Sequence, residues 1–88
     1  MRPGAVTAVN RAVAVGAAQG PAAGLAALAA VPADRRLEGW LPWQAARAWL
    51  CEQARDVEAA LAALDAALAL SPPPAERLFL EGARRRLG

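Results

Sequence analysis

The sequence predicts an all-α domain in which two antiparallel helical hairpins stack and one further helix caps the end. Three observations predict it. Breakers at Gly20-Pro21, from Pro32 to Pro42, and at Ser71-Pro72-Pro73-Pro74 divide the 88 residues into short segments. Those segments are rich in alanine and leucine, the strongest helix formers. The chain also matches itself on a shift of 36 residues.

The first segment, 4–18, holds the β-branched Val6, Thr7, Val9, Val13 and Val15 and would pass for a strand on propensity alone. Its apolar spacing, Val6, Val9, Val13 and Ala17, is helical, and Asn10 and Arg11 share the other side. The second helix, 21–31, begins on Pro21 after Gly20, an arrangement favoured between helices. Pro32, Gly39 and Pro42 mark a connection that carries the charged run Asp34-Arg35-Arg36. The third helix spans 42–54. Asp56 caps the fourth, 57–70, with Glu58 in its first turn. Three prolines then end it, and the last helix runs over 74–86.

The shift aligns Arg11-Ala12 with Arg47-Ala48, Ala18 with Ala54, and Leu25-Ala26-Ala27-Leu28 with Leu61-Ala62-Ala63-Leu64. The break repeats as well, Gly20 falling on Asp56. The chain therefore reads as one domain over 1–88: repeat one about 4–31, repeat two about 42–70 and a capping helix about 74–86. Small residues stand where paired helices would touch: Ala12, Gly24 and Val31, then Ala48, Ala60 and Ala67. Leu25, Leu28, Leu61, Leu64 and Leu68 fill the spaces between helices. Two repeats are close to the minimum for a stable stack, so modest stability or dimerisation is expected.

Composition excludes much chemistry. One cysteine and no histidine leave neither an internal disulfide nor a Cys/His metal site, and no cofactor is implied. Cys51 has no histidine base and sits in an apolar slot, as a small buried hydrophobe. Glu52, Asp56, Glu58 and Asp65 are spread over helix surfaces, and Gly16, Gly20 and Gly24 do not follow a strand, so no phosphate loop is formed. The chain is not expected to be an enzyme. All ten basic residues are arginine, but a net charge of +2 does not mark a direct nucleic-acid binder. Ala22 to Val31 is too short to span a bilayer, and no signal peptide is visible. The single thiol fits the cytoplasm.

The second unit, from Ala46-Arg47-Ala48-Trp49-Leu50-Cys51 through Asp56-Val57-Glu58-Ala59-Ala60-Leu61 to Ala67-Leu68-Ala69-Leu70-Ser71-Pro72, resembles a tetratricopeptide repeat. It has that family's three small positions and its closing proline, while Arg55 replaces the glycine before the second helix. More narrowly, Asn10-Arg11-Ala12-Val13-Ala14 followed by Gly20-Pro21-Ala22-Ala23-Gly24-Leu25 resembles the C-terminal extension of bacterial extracytoplasmic-function sigma factors. Ala75-Glu76-Arg77-Leu78-Phe79-Leu80-Glu81 is similar to the end of those proteins. The linker departs from them, reading Gly39-Trp40-Leu41-Pro42-Trp43-Gln44 in place of a Tyr-His segment. The promoter-reading and polymerase-binding regions are absent, so an excised or free-standing copy of the extension is implied.

The resemblance implies a right-handed α-solenoid that binds a protein or peptide in a groove lined by the first helix of each hairpin. Carried over by position, that groove comprises Val9, Val13, Ala17, Ala45, Trp49, Glu52 and Gln53. Trp49 reads either as an interface anchor or as packing for the last helix. Trp40 and Trp43 read either as an exposed patch or as a cover over a thin alanine core. Arg84-Arg85-Arg86 is expected to offset the negative end of the last helix, and Arg35-Arg36 to lie in a solvated loop. Arg11 and Arg47, equivalent in the repeat, are expected to pair with acidic residues of neighbouring helices. The partners implied are sigma-factor regions or RNA polymerase, in transcription regulation. A general adaptor and a self-associating homodimer are the other readings of the same residues.

Overall fold

A computed structural model of the chain describes residues 3–31 and 39–88, with side chains from Val6 onward in the first stretch. The described residues form α1 (Pro3–Gln19), α2 (Pro21–Ala29), α3 (Leu41–Gln53), α4 (Val57–Leu68) and α5 (Pro74–Leu87), with no strand among them. The domain is all-α. The Asp34-Arg35-Arg36 run lies outside the described residues.

Local chemistry accounts for the boundaries. Gly20 separates α1 from α2 with φ 104° and ψ 158°, a conformation open essentially only to glycine, and Pro21 opens α2. Between α3 and α4 the chain turns instead on Arg55, in the left-handed region at φ 61°. The Asp56 carboxylate then accepts from the Ala59 N–H at 3.1 Å, capping α4. Ser71, at φ 53°, ends the turn after α4 before Pro72 prevents continuation. Pro74 opens α5, with Glu76 in its first turn and Arg84, Arg85 and Arg86 in its last, charges placed to complement the helix dipole.

Helices α1 and α2 pack as one hairpin and α3 and α4 as a second; α3 also packs on α1 and α2, and α5 on α4. The six small positions read from the repeat, Ala12, Gly24, Val31, Ala48, Ala60 and Ala67, are all buried. In the first hairpin the backbones nearly meet. A Cβ on Gly24 would stand 2.7 Å from the Gly16 Cα and 3.0 Å from the Ala12 carbonyl oxygen. Into this crossing α3 inserts Leu50, whose Cδ2 would lie 2.6 Å from that Cβ. Among the described residues Leu50 is the largest side chain that is completely buried.

Helix α3 consequently divides the core in two. On one side Ala46 and Leu50 join Val9, Ala12, Leu28 and Val31 of the first hairpin. On the other, Ala48 joins Ala63, Leu64 and Ala67 of α4 and Leu80 and Ala83 of α5. Close helix approach compensates for the little area each alanine buries.

Candidate interaction surface

Helices α3 and α5 do not close on each other. Between them lie two adjoining open clefts of about 200 and about 250 Å³. Ala45, Phe79 and Leu80 line both. Ala48, Trp49, Glu52, Gln53, Leu64, Ala83 and Arg86 complete the first, and Leu41, Pro42 and Glu76 the second. The first cleft is mostly apolar because Ala45, Ala48 and Trp49 of α3 meet Leu64 of α4 and Leu80 and Ala83 of α5 there.

Of the residues assigned to a groove from sequence, Ala45, Trp49, Glu52 and Gln53 meet in this cleft. The three on α1 do not line it. Val9 is 3 % exposed and belongs to the core, because its face of α1 is the one covered by α2 and α3, so the groove assignment is corrected there. Val13 is half-buried against the same core, and Ala17 is exposed on α1. Trp49 serves both purposes open to it. It packs on the first core, its Cζ3 3.6 Å from where a Cβ on Gly16 would stand, and it lines the cleft.

Trp40 and Trp43 do not form an exposed patch. Both are half-buried against the first core, supplying area that alanine cannot. The Arg47 guanidinium lies 6.0 Å from the centroid of the Trp43 ring, so a cation–π contact stands where an acidic partner was expected. Arg11, its repeat equivalent, is exposed.

Phe79, unassigned from sequence, is the most prominent cleft residue, 67 % exposed. A signal for it existed. Leu78, Phe79 and Leu80 are consecutive, and successive helix residues point about 100° apart, so they cannot all face one core. Leu80 is buried, while Leu78 is left 68 % exposed.

Charged residues hold α5 at this spacing. Arg84 Nε donates to Asp65 Oδ1 at 2.6 Å, and Arg84 Nη2 to Asp65 Oδ2 at 3.4 Å, tying α5 to α4. Arg86 Nη2 donates to Glu52 Oε1 at 3.2 Å, bridging the end of the cleft to α3. The last-turn arginines thus make specific bonds in addition to the expected dipole complement. The hydrogen bond from Arg84 lowers the Asp65 pKa below its ordinary 3.8, and the same bond raises that of Arg84. A lowered carboxylate pKa in the folded state means that this stabilisation is present above the ordinary Asp value and is lost as pH falls through the lowered one. Both side chains are about half exposed, so the effect is small.

Cys51 is buried, and its pKa is raised chiefly by that burial, which keeps the thiol protonated at neutral pH. Among the described residues no group of three or more Cys, Asp or Glu is placed to hold a metal ion, and no helix is long and apolar enough to cross a membrane. The geometry is that of an open, mostly apolar cleft bordered at one end by the Glu52–Arg86 ion pair. Compared with protein-family models, curated proteins and solved structures, the chain matches none.

Proposed function

We propose that the chain is a protein–protein interaction module of tetratricopeptide-like, right-handed α-solenoid build, whose groove takes a helix or peptide of another protein. The observation that carries this reading is the α3–α5 cleft, which Trp49 and Phe79 line together with the small residues Ala45 and Ala48. Large aromatics beside small residues are the usual anchors of an interface. At about 200 and 250 Å³ the two clefts are smaller than ordinary small-molecule sites, and suit single side chains of a peptide. The solenoid reading is supported by the order of packing, in which α3 sits on both helices of the first hairpin.

The sequence resemblance extends the proposal to bacterial transcription regulation. The module is then a C-terminal extension of a sigma factor, or a free-standing copy, acting in the cytoplasm on sigma-factor regions or on RNA polymerase. The test is calorimetric titration of the chain with the conserved regions of an extracytoplasmic-function sigma factor and with core polymerase. Binding should weaken at least about tenfold in Phe79→Ala, a change that leaves the melting temperature unaltered because the ring is mostly solvated. Trp49→Ala should weaken it too, with some loss of stability, since that ring also packs on the core. Binding indifferent to Phe79→Ala removes the cleft as the site. Failure to bind either transcription protein removes the regulatory assignment and returns the module to a general adaptor.

A further inference from the structure

The side of α5 opposite Leu80 and Ala83 carries the most exposed large hydrophobic side chain among the described residues. Leu78 is 68 % exposed there, and Ala75 is exposed beside it. Gly82, one turn on from Leu78, leaves a gap in the same face. A Cβ placed on it would find only the Arg85 guanidinium, 4.0 Å away. A large apolar side chain and an open glycine four residues apart make a knob and a hole on one stripe.

This pattern is self-complementary in one orientation. Laying two α5 helices antiparallel, with each Leu78 over the partner's Gly82, satisfies both features twice about a two-fold axis. Arg77 and Glu81 stand on one flank of the stripe, and neither has an ion-pair partner among the described residues. In the antiparallel register, Glu81 of each copy falls about 3 Å along the axis from the partner's Arg77, given the helical rise. Two reciprocal ion pairs follow. A parallel arrangement would put this flank of the two copies on opposite sides of the seam, where Arg77 and Glu81 could not pair with each other, and would align the helix dipoles unfavourably.

We infer that α5 is a self-pairing helix, through which two copies of this chain associate antiparallel with Leu78 seated over the partner's Gly82. The inference does not depend on what occupies the α3–α5 cleft. A single helix pair buries less than about 1,200 Å², so the association is weak and reversible, with a dissociation constant on the order of micromolar to millimolar.

Sedimentation equilibrium of the full chain tests it. The expected result is a 9.1 kDa species giving way to its dimer as concentration rises. Leu78→Arg should raise the dissociation constant at least about tenfold, because the change enters a two-fold interface twice. Its helix content and melting at low concentration should match the parent, since the Leu78 side chain is mostly solvated. The orientation is tested by charge exchange. Glu81→Arg and Arg77→Glu should each weaken self-association, and their mixture should restore it as a heterodimer. A single 9.1 kDa species up to about 1 mM overturns the inference. So does a dimer that ignores Leu78→Arg, or a mixture no tighter than its separate components. Loss of dimerisation with cleft binding intact, or the reverse, separates this interface from the proposed groove.

Discussion

The two hairpins set Ala12 against Ala48, Gly24 against Ala60 and Val31 against Ala67 in the repeat register, yet their helix crossings are built differently. In the first, glycine lets backbone approach backbone, with the Gly16 Cα and the Ala12 carbonyl both inside the reach of any added methyl. In the second, Ala60 fits its crossing with no exposed surface. The cause lies outside each hairpin's own pair of helices. Helix α3 drives Leu50 into the first crossing, while α5 lays the shorter contact of Leu80 and Ala83 over the second. A small position in this repeat is thus set by the next helix as much as by its own pair.

Three measurements would break or sharpen that comparison. The largest effect is expected from Leu50→Ala, which empties the shared crossing and should cost about 2–5 kcal/mol in denaturant unfolding. A cost below about 1 kcal/mol would mean the first hairpin does not depend on α3. Next, Gly24→Ala should cost about 3 kcal/mol by overpacking against backbone, whereas Ala60→Gly should cost only about 1 kcal/mol from helix propensity. Combining Gly24→Ala with Leu50→Ala should cost less than the sum, because Leu50 is the nearest atom to the new methyl. Equal costs at positions 24 and 60 would erase the distinction. The smallest effect concerns the turns. Arg55→Gly should stabilise by about 1 kcal/mol by relieving a left-handed residue, raising Tm by several degrees. At the other turn Gly20→Ala should destabilise by about 1–3 kcal/mol, although no atom lies within 4 Å of the new methyl. Opposite signs at the two turns are the diagnostic.

Much of this was legible in the residues. Prolines and Gly20 placed the five helices within about two residues, because breakers act on the backbone of their own turn. The small positions were legible because the repeat exposes them twice. The α3 side of the proposed groove was legible in part, through Ala45, Trp49, Glu52 and Gln53, whose spacing puts them on one side of α3. Val9 was misplaced because Val6, Val9 and Val13 form one apolar stripe on α1, and the stripe alone does not say which of its residues α2 and α3 will cover. Phe79 was not legible because the run Leu78-Phe79-Leu80 does not by itself say which of the three a capping helix buries.

By itself, then, the sequence determined the helices, their order and the positions that had to stay small, since hydrogen bonding and backbone freedom act over four residues or fewer. Only the tertiary structure decided that Leu50 fills the first hairpin, that Arg84 and Arg86 fasten α5 to α4 and α3, and that Phe79 and Leu78 stay exposed. Each of these depends on how one helix is rotated about its axis against another far away in the chain. Alanine-rich faces offer several nearly equal rotations, and the few large side chains choose among them only once all the helices are in place.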